Sequence, residues 1–151
     1  MIQFKSGVDI FNYLDRHPTI DAVCNTVNCV GVMGTGIALE MSKRFPHIVK
    51  PYKDLCRLGV FSPGDVFVSK SSPIILNVFT KDHWKNPSQY RWVYRACNEL
   101  RVKIEQFQLT TTLIPALGCG NGGLSWIVVE TILKRVMHDI KSNIIVFGPH
   151  Q

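Results

Sequence analysis

The segment Leu113-Ile-Pro-Ala-Leu-Gly-Cys-Gly-Asn-Gly-Gly-Leu-Ser-Trp126 constrains this chain more than any other. Its apolar start continues a buried β-strand expected over 111–117. Four glycines follow, Gly118, Gly120, Gly122 and Gly123, and an amphipathic helix is expected from near Leu124. Backbone amides free of side chains then converge with the positive end of a helix, and such a junction suits phosphate. A second junction of the same kind lies upstream at Asn28-Cys-Val-Gly-Val-Met-Gly-Thr-Gly36, after an apolar run and before a helix. Two such loops in one chain point to one ligand with two phosphates.

The rest of the chain alternates strands with amphipathic helices. Short strand character at Ile2–Phe4 precedes a helix over 8–14, which His17-Pro18 breaks. The run 21–27 is mostly apolar and bounded by turn-formers, as in an interior strand covered on both faces. Helices are expected at 37–45, stopped by Pro46, and at 47–58, closed by Gly59. Strands at 65–68 and 74–79 read as a hairpin across Ser71-Ser72-Pro73, and 80–87 as a displayed polar loop. Trp92, Val93, Ala96, Cys97, Leu100, Ile104 and Phe107 recur at helical spacing over 88–107, and Val129, Ile132, Leu133, Val136 and Ile140 mark another buried stripe. A last strand covers 143–148. The pattern predicts an α/β fold, a three-layer α/β/α sandwich on a mixed, mostly parallel sheet of about six strands. Ligands of such sheets sit beyond the carboxyl ends of the strands, where both glycine loops fall.

At 151 residues and 46% hydrophobic content, the chain accommodates a single domain over 1–151. No apolar run approaches the ~20 residues of a membrane span, and Met1-Ile-Gln-Phe-Lys-Ser-Gly lacks a signal-peptide pattern, so a cytoplasmic protein without membrane partners is expected. Five cysteines without a C-x-x-C pair, and histidines without i, i+4 spacing, argue for reduced thiols and against a metal. The net charge of +6 favours anionic partners. Neither glycine loop has the phosphate-binding lysine motif of NTPases or the complete dinucleotide fingerprint, so neither of those classes fits.

Three stretches carry a resemblance: Asn25-Thr-Val-Asn-Cys-Val-Gly-Val-Met-Gly-Thr-Gly-Ile-Ala38, Phe79-Thr-Lys-Asp-His-Trp84 and Leu117-Gly-Cys-Gly-Asn-Gly-Gly-Leu-Ser-Trp126. In this order and over nearly the whole chain they resemble the macrodomain family, in its branch typified by the antitoxin DarG, with the human terminal ADP-ribose glycohydrolase more distant. Small stand-alone macrodomains of T4-like phages are also similar, which implies an infected bacterial cytosol. The resemblance implies the macrodomain fold, ADP-ribose binding without a further cofactor, and removal of ADP-ribose from thymidine bases of DNA modified by a partner toxin.

Carried onto this chain, the resemblance implies that Asn25 and Asn28 contact the ligand, with Asn28 bonding the distal ribose. Gly31, Val32, Met33, Gly34, Thr35, Gly36 and Ile37 would wrap the diphosphate from one side; Gly118, Cys119, Gly120, Asn121, Gly122, Gly123 and Leu124 from the other. Asp9 would accept from the adenine amino group and Phe147 would neighbour the ring. Catalysis would turn on Lys81, with His83 and Asn28 assisting. An amine near the anomeric carbon can stabilise charge on the departing atom or add to the opened sugar as a Schiff base. His83 would orient the leaving group or cap a turn. The human enzyme's acidic second-loop residue has no counterpart in Asn121-Gly122-Gly123, so no loop carboxylate serves as acid or base. Lys43, Arg44, Lys50, Lys53 and Arg57 would suit a DNA backbone. Two alternatives stay open: an ADP-ribose 1''-phosphate phosphatase, which the stretch from Asn28 to Cys56 also resembles, and a reader that binds without turnover.

Overall fold

The computed structural model describes residues 1–149. Along the chain lie β1 (Ile2–Lys5), α1 (Ile10–Arg16), β2 (Ala22–Asn28), α2 (Gly36–Arg44), α3 (Val49–Arg57), β3 (Val66–Ser69), β4 (Ile74–Lys81), α4 (Tyr90–Gln106), β5 (Thr111–Ile114), α5 (Trp126–Val136) and β6 (Asn143–Phe147). The strands form one sheet in the order β1-β6-β5-β2-β4-β3. Every pair is parallel except β3 with β4, whose antiparallel hairpin makes the sheet mixed, as the sequence predicts.

The alternation of side chains along each strand divides the interior into two cores. On one face Ala22 and Cys24 of β2 pack with Val93, Leu100 and Ile104 of α4 and Leu133 of α5. On the other, Val23 and Val27 meet Phe11 of α1, Met41 of α2 and Tyr52 of α3. The sheet is therefore the middle layer of an α/β/α sandwich. This explains why 22–27 is mostly apolar without alternation, since both faces of β2 are covered.

Several boundaries move from their expected positions. Strand β5 ends at Ile114, because Pro115 has no N–H to continue the ladder, and α5 starts at Trp126 after a 3-10 turn at Gly120–Gly122. The helix expected at 47–58 divides into a 3-10 turn at Pro46–Ile48 and α3. Strand β4 reaches Lys81, so this lysine closes a strand and does not sit in a free loop; it is held in register with Asn28 past an irregularity after Val27.

Candidate functional site

The chain leaves β2 toward β4 on one side of the sheet and leaves β5 toward β6 on the other. The β2–β5 boundary is thus the switch point, where parallel sheets open a crevice beyond their strand ends. A cavity of about 780 Å³ lies there, lined by the loop after β2, the end of β4 with Trp84, and the loop after β5. A second cavity of about 310 Å³, lined by Asp9, Phe11, Phe147 and Pro149 among others, shares Ile37, Ala116, Cys119 and Gly120 with the first. Together they form one trough of a size suited to a small-molecule ligand.

The first glycine loop is shaped by Asn28. Its Oδ1 accepts from the Val30 and Val32 amides at 3.1 and 3.3 Å and from the Tyr52 hydroxyl at 3.1 Å, while Nδ2 donates to the Val32 carbonyl at 2.9 Å. Tyr52, fully buried, also donates to the Asn28 carbonyl at 2.6 Å, and burial raises its phenol above the usual tyrosine range. Asn28 lines the cavity, but its oxygen holds the loop; only the second N–H of Nδ2 remains for a ligand.

The second loop is fastened to β4 by Ser88, which the sequence reading did not single out. Its hydroxyl donates to the Thr80 carbonyl at 2.5 Å and its amide to the Gly122 carbonyl at 2.9 Å. Gly118 has φ +72, and a Cβ there would stand 2.7 Å from Leu124 Cδ1 and 3.0 Å from Ser88 Oγ, so the turn closes only with glycine. Across the trough, Asn121 Nδ2 reaches Thr35 Oγ1 at 3.4 Å, a side-chain bridge between the two loops.

Lys81 enters the first cavity from the end of β4. Its Nζ donates to the Trp84 carbonyl at 3.3 Å, and the side chain is partly exposed. Gly122 passes close to its stem, with a Cβ there 4.0 Å from Lys81 Cε. Among the described residues lining this cavity Lys81 is the only charged side chain. The remaining ionisable group is Cys119, whose thiol burial pushes up. Asp9 lies in the second cavity. Its Oδ1 caps α1, accepting from the Phe11 and Asn12 amides at 2.9 and 3.0 Å, so Oδ2 is the oxygen left to face a ligand. Phe147 lines the same cavity and meets Tyr13 edge-on at 5.4 Å.

Other expected contacts are not brought to the trough. Asn25 is fully buried among the sheet residues, donating to Asn77 Oδ1 at 3.2 Å, and lines neither cavity. Asn77 continues this buried ladder to the Phe67 carbonyl and Ser69 Oγ. Gly31 is buried against Lys53 and Cys56, Met33 packs into the core with Met41 and Tyr52, and Leu124 packs against Gly118 and the α4–α5 core. Gly123 ends the 3-10 turn outside both linings. His83 lies outside both as well, its Nδ1 accepting from the Lys85 amide at 3.1 Å, which caps the turn after β4. Val32, Gly34, Thr35, Gly36, Ile37, Gly118, Cys119, Gly120, Asn121 and Gly122 do line the first cavity.

The basic cluster near the first loop is largely neutralised. Arg44 pairs with Asp15 at 2.7 Å and Glu40 at 3.1 Å, and Lys50 and Arg57 share Asp54 at 2.6 and 3.4 Å. Lys43 and Lys53 form no ion pair among the described residues. No three His, Cys, Asp or Glu among the described residues converge as a metal site, and no described helix is long and apolar enough to cross a membrane.

Comparison with known proteins places this geometry. The Macro domain family model matches residues 24–133. The DNA ADP-ribosyl glycohydrolase of Thermus aquaticus is 34% identical over 146 residues, covering 93% of this chain and 39% of the relative. That of Mycobacterium tuberculosis is 38% identical over 125 residues, covering 80% and 36%. The chain thus spans less than two fifths of the length of these relatives. A 17.5 kDa uncharacterised protein of phage T4 is 24% identical and covered over 86% of its length. The solved macrodomains of DarG from the same two bacteria superpose with TM-scores of 0.86 and 0.88 at 32% and 34% identity, each covered over 99%. Thermosipho africanus DarTG in complex with ADP-ribose superposes over 86% of this chain and 38% of its own at TM-score 0.81 and 25% identity. With the family model matching most of its length and these relatives 34–38% identical over 80–93% of it, the chain belongs to the macrodomain family.

Proposed function

We propose that this chain binds ADP-ribose along the trough and hydrolyses its bond to thymidine in modified DNA. The observation that carries the reading is Lys81, the one charged side chain among the described residues of a cavity otherwise lined by neutral side chains and loop backbone. The adenosine end fits the second cavity, beside Asp9 Oδ2 and Phe147, and the diphosphate fits between the loops around Gly34–Gly36 and Gly118–Gly122. This directs the distal ribose to the first cavity, where Lys81 lies. The names of the Thermus and Mycobacterium relatives and the ADP-ribose bound to the Thermosipho protein support the same assignment. A Thermosipho relative is named as a fusion of DNA ADP-ribosyl transferase and glycohydrolase, and a transferase of that kind would supply the modified DNA.

In the reaction the C1''–N bond breaks, its electron pair leaves with the base nitrogen, and water supplies the new oxygen at C1''. With no carboxylate among the described residues lining the first cavity, Lys81 serves in one of two ways. Its ammonium offsets charge on the departing nitrogen, or its neutral amine adds to the opened sugar, expels the base, and is released when water hydrolyses the imine. Borohydride trapping separates these routes. The phosphatase reading needs an acid or nucleophile at the terminal phosphate, and of its two candidates, His83 and Lys81, His83 lies outside both cavities.

The test incubates the protein and Lys81→Ala with an ADP-ribosylated thymidine oligonucleotide, an ADP-ribosylated protein and ADP-ribose 1''-phosphate. Free ADP-ribose from the oligonucleotide is expected, with the rate lowered ~100-fold or more in Lys81→Ala. Free phosphate with an untouched oligonucleotide, or an unchanged rate in the variant, overturns the reading. Binding of ADP-ribose without turnover on any substrate establishes a reader.

A further inference from the structure

We propose that Trp84 is the platform on which the base carrying ADP-ribose stacks, a contact that deepens the DNA reading above and rests on it. ADP-ribose contains one aromatic base, yet the trough has aromatic rings at both ends. Phe11 and Phe147 line the second cavity, whereas Trp84 is the only aromatic among the described residues lining the first. A ligand with adenine at the Phe147 end leaves Trp84 for a second ring, that of the acceptor. Trp84 is 51% exposed, a large apolar surface left to solvent beside the reacting amine.

The ring is presented by a braced turn. The Trp84 carbonyl receives Lys81 Nζ, so the backbone that carries the indole lies against the residue proposed to act at the anomeric carbon. Asp82 Oδ1 accepts from the His83 amide at 2.7 Å and Asn86 Nδ2 at 3.3 Å, and the Asn86 amide donates to the His83 carbonyl at 3.1 Å. Lys85 Nζ stands 5.1 Å from the indole centroid. Its exposed side chain can move onto a phosphate next to the stacked base while remaining near the ring. A base inside a duplex cannot bring its sugar bond to Lys81 within the trough, so the acceptor must leave its stack. Stacking on Trp84 replaces part of what is lost on leaving.

The experiment measures two dissociation constants in a Lys81→Ala background, for free ADP-ribose and for a short single-stranded oligonucleotide carrying ADP-ribosylated thymidine. Trp84→Ala is expected to weaken the oligonucleotide relative to ADP-ribose by about tenfold or more, equal to ~1.4 kcal/mol. Trp84→Phe, which keeps a stacking face, is expected to restore most of the difference. Equal losses for both ligands, or an unchanged ratio with the oligonucleotide still cleaved by the wild-type chain, overturn the platform alone. An oligonucleotide that the parent binds no more tightly than ADP-ribose, and that the wild type leaves intact, defeats the DNA reading and the platform with it.

Discussion

Gly118→Ala tests whether the second loop owes its shape to close packing as well as to backbone freedom. At φ +72 any L side chain incurs the left-handed penalty, ~1–2 kcal/mol. The added Cβ would also stand 2.7 Å from Leu124 Cδ1, 3.0 Å from Ser88 Oγ and 3.1 Å from Val93 Cγ2. Val93 is fully buried in α4 and Ser88 is tied to Thr80, so these neighbours yield only by disturbing the core or the end of β4. Overpacking of this kind adds ~1–3 kcal/mol, for a total of ~2–5 kcal/mol. Gly123→Ala is the internal reference, since φ is +77 but nothing lies within 4 Å, leaving the backbone penalty alone. Urea unfolding should separate the two variants by ~1 M in midpoint, for a contact difference of ~2 kcal/mol and a slope of ~2 kcal/mol/M. Coincident midpoints would show that the contacts at Gly118 relax freely and that the packing argument is wrong.

Tyr52→Phe removes the donor from two Asn28 oxygens in a buried setting and should cost ~1–3 kcal/mol by urea unfolding, with weaker ADP-ribose binding by calorimetry; unchanged stability would refute its role as the loop's anchor. The thiols give a pH prediction. Burial pushes Cys29 and Cys97 up to about 12, and for Cys29 the nearby Cys56 adds to it. An unfolded thiol titrates near ~8.5, so between that value and about 12 the native chain holds protons that the unfolded chain has lost. Their contribution is complete below ~8.5 and falls as pH rises. The melting temperature should decline from pH 8.5 to 10, and native cysteines should react slowly with a disulfide reagent at pH 8; a flat profile with rapid labelling contradicts the assignment.

The fold was legible because two local signals carried it: the two-sided apolar run of β2 and the helical stripes of α4 and α5. The glycine loops were legible for the same reason, each being a local turn signal between a strand and a helix. What escaped was long-range. Lys81 follows the polar Thr80, so local pattern ends the strand there, yet pairing with β2 carries β4 on to Lys81. Asn25 sits beside a glycine-loop motif, but its partner is Asn77, 52 residues away across the sheet. Ser88 looked like the entry to a helix, and its bonds to Thr80 and Gly122 arise only when α4 docks near the strand ends. A signal for it existed in the Pro87-Ser88 pair directly after the lysine loop, where a helix entry must turn back over the sheet.

The bonds around Asn28 bear on how affinity is obtained. Because its oxygen already holds two loop amides and the Tyr52 hydroxyl, the first loop takes its shape from bonds within the chain itself. The entropy of ordering that loop is therefore charged to folding, and a ligand meets a preorganised cradle. Asn28 then resembles a keystone more than a fingertip: replacing it would empty the cradle of its shape before removing any contact to the ligand.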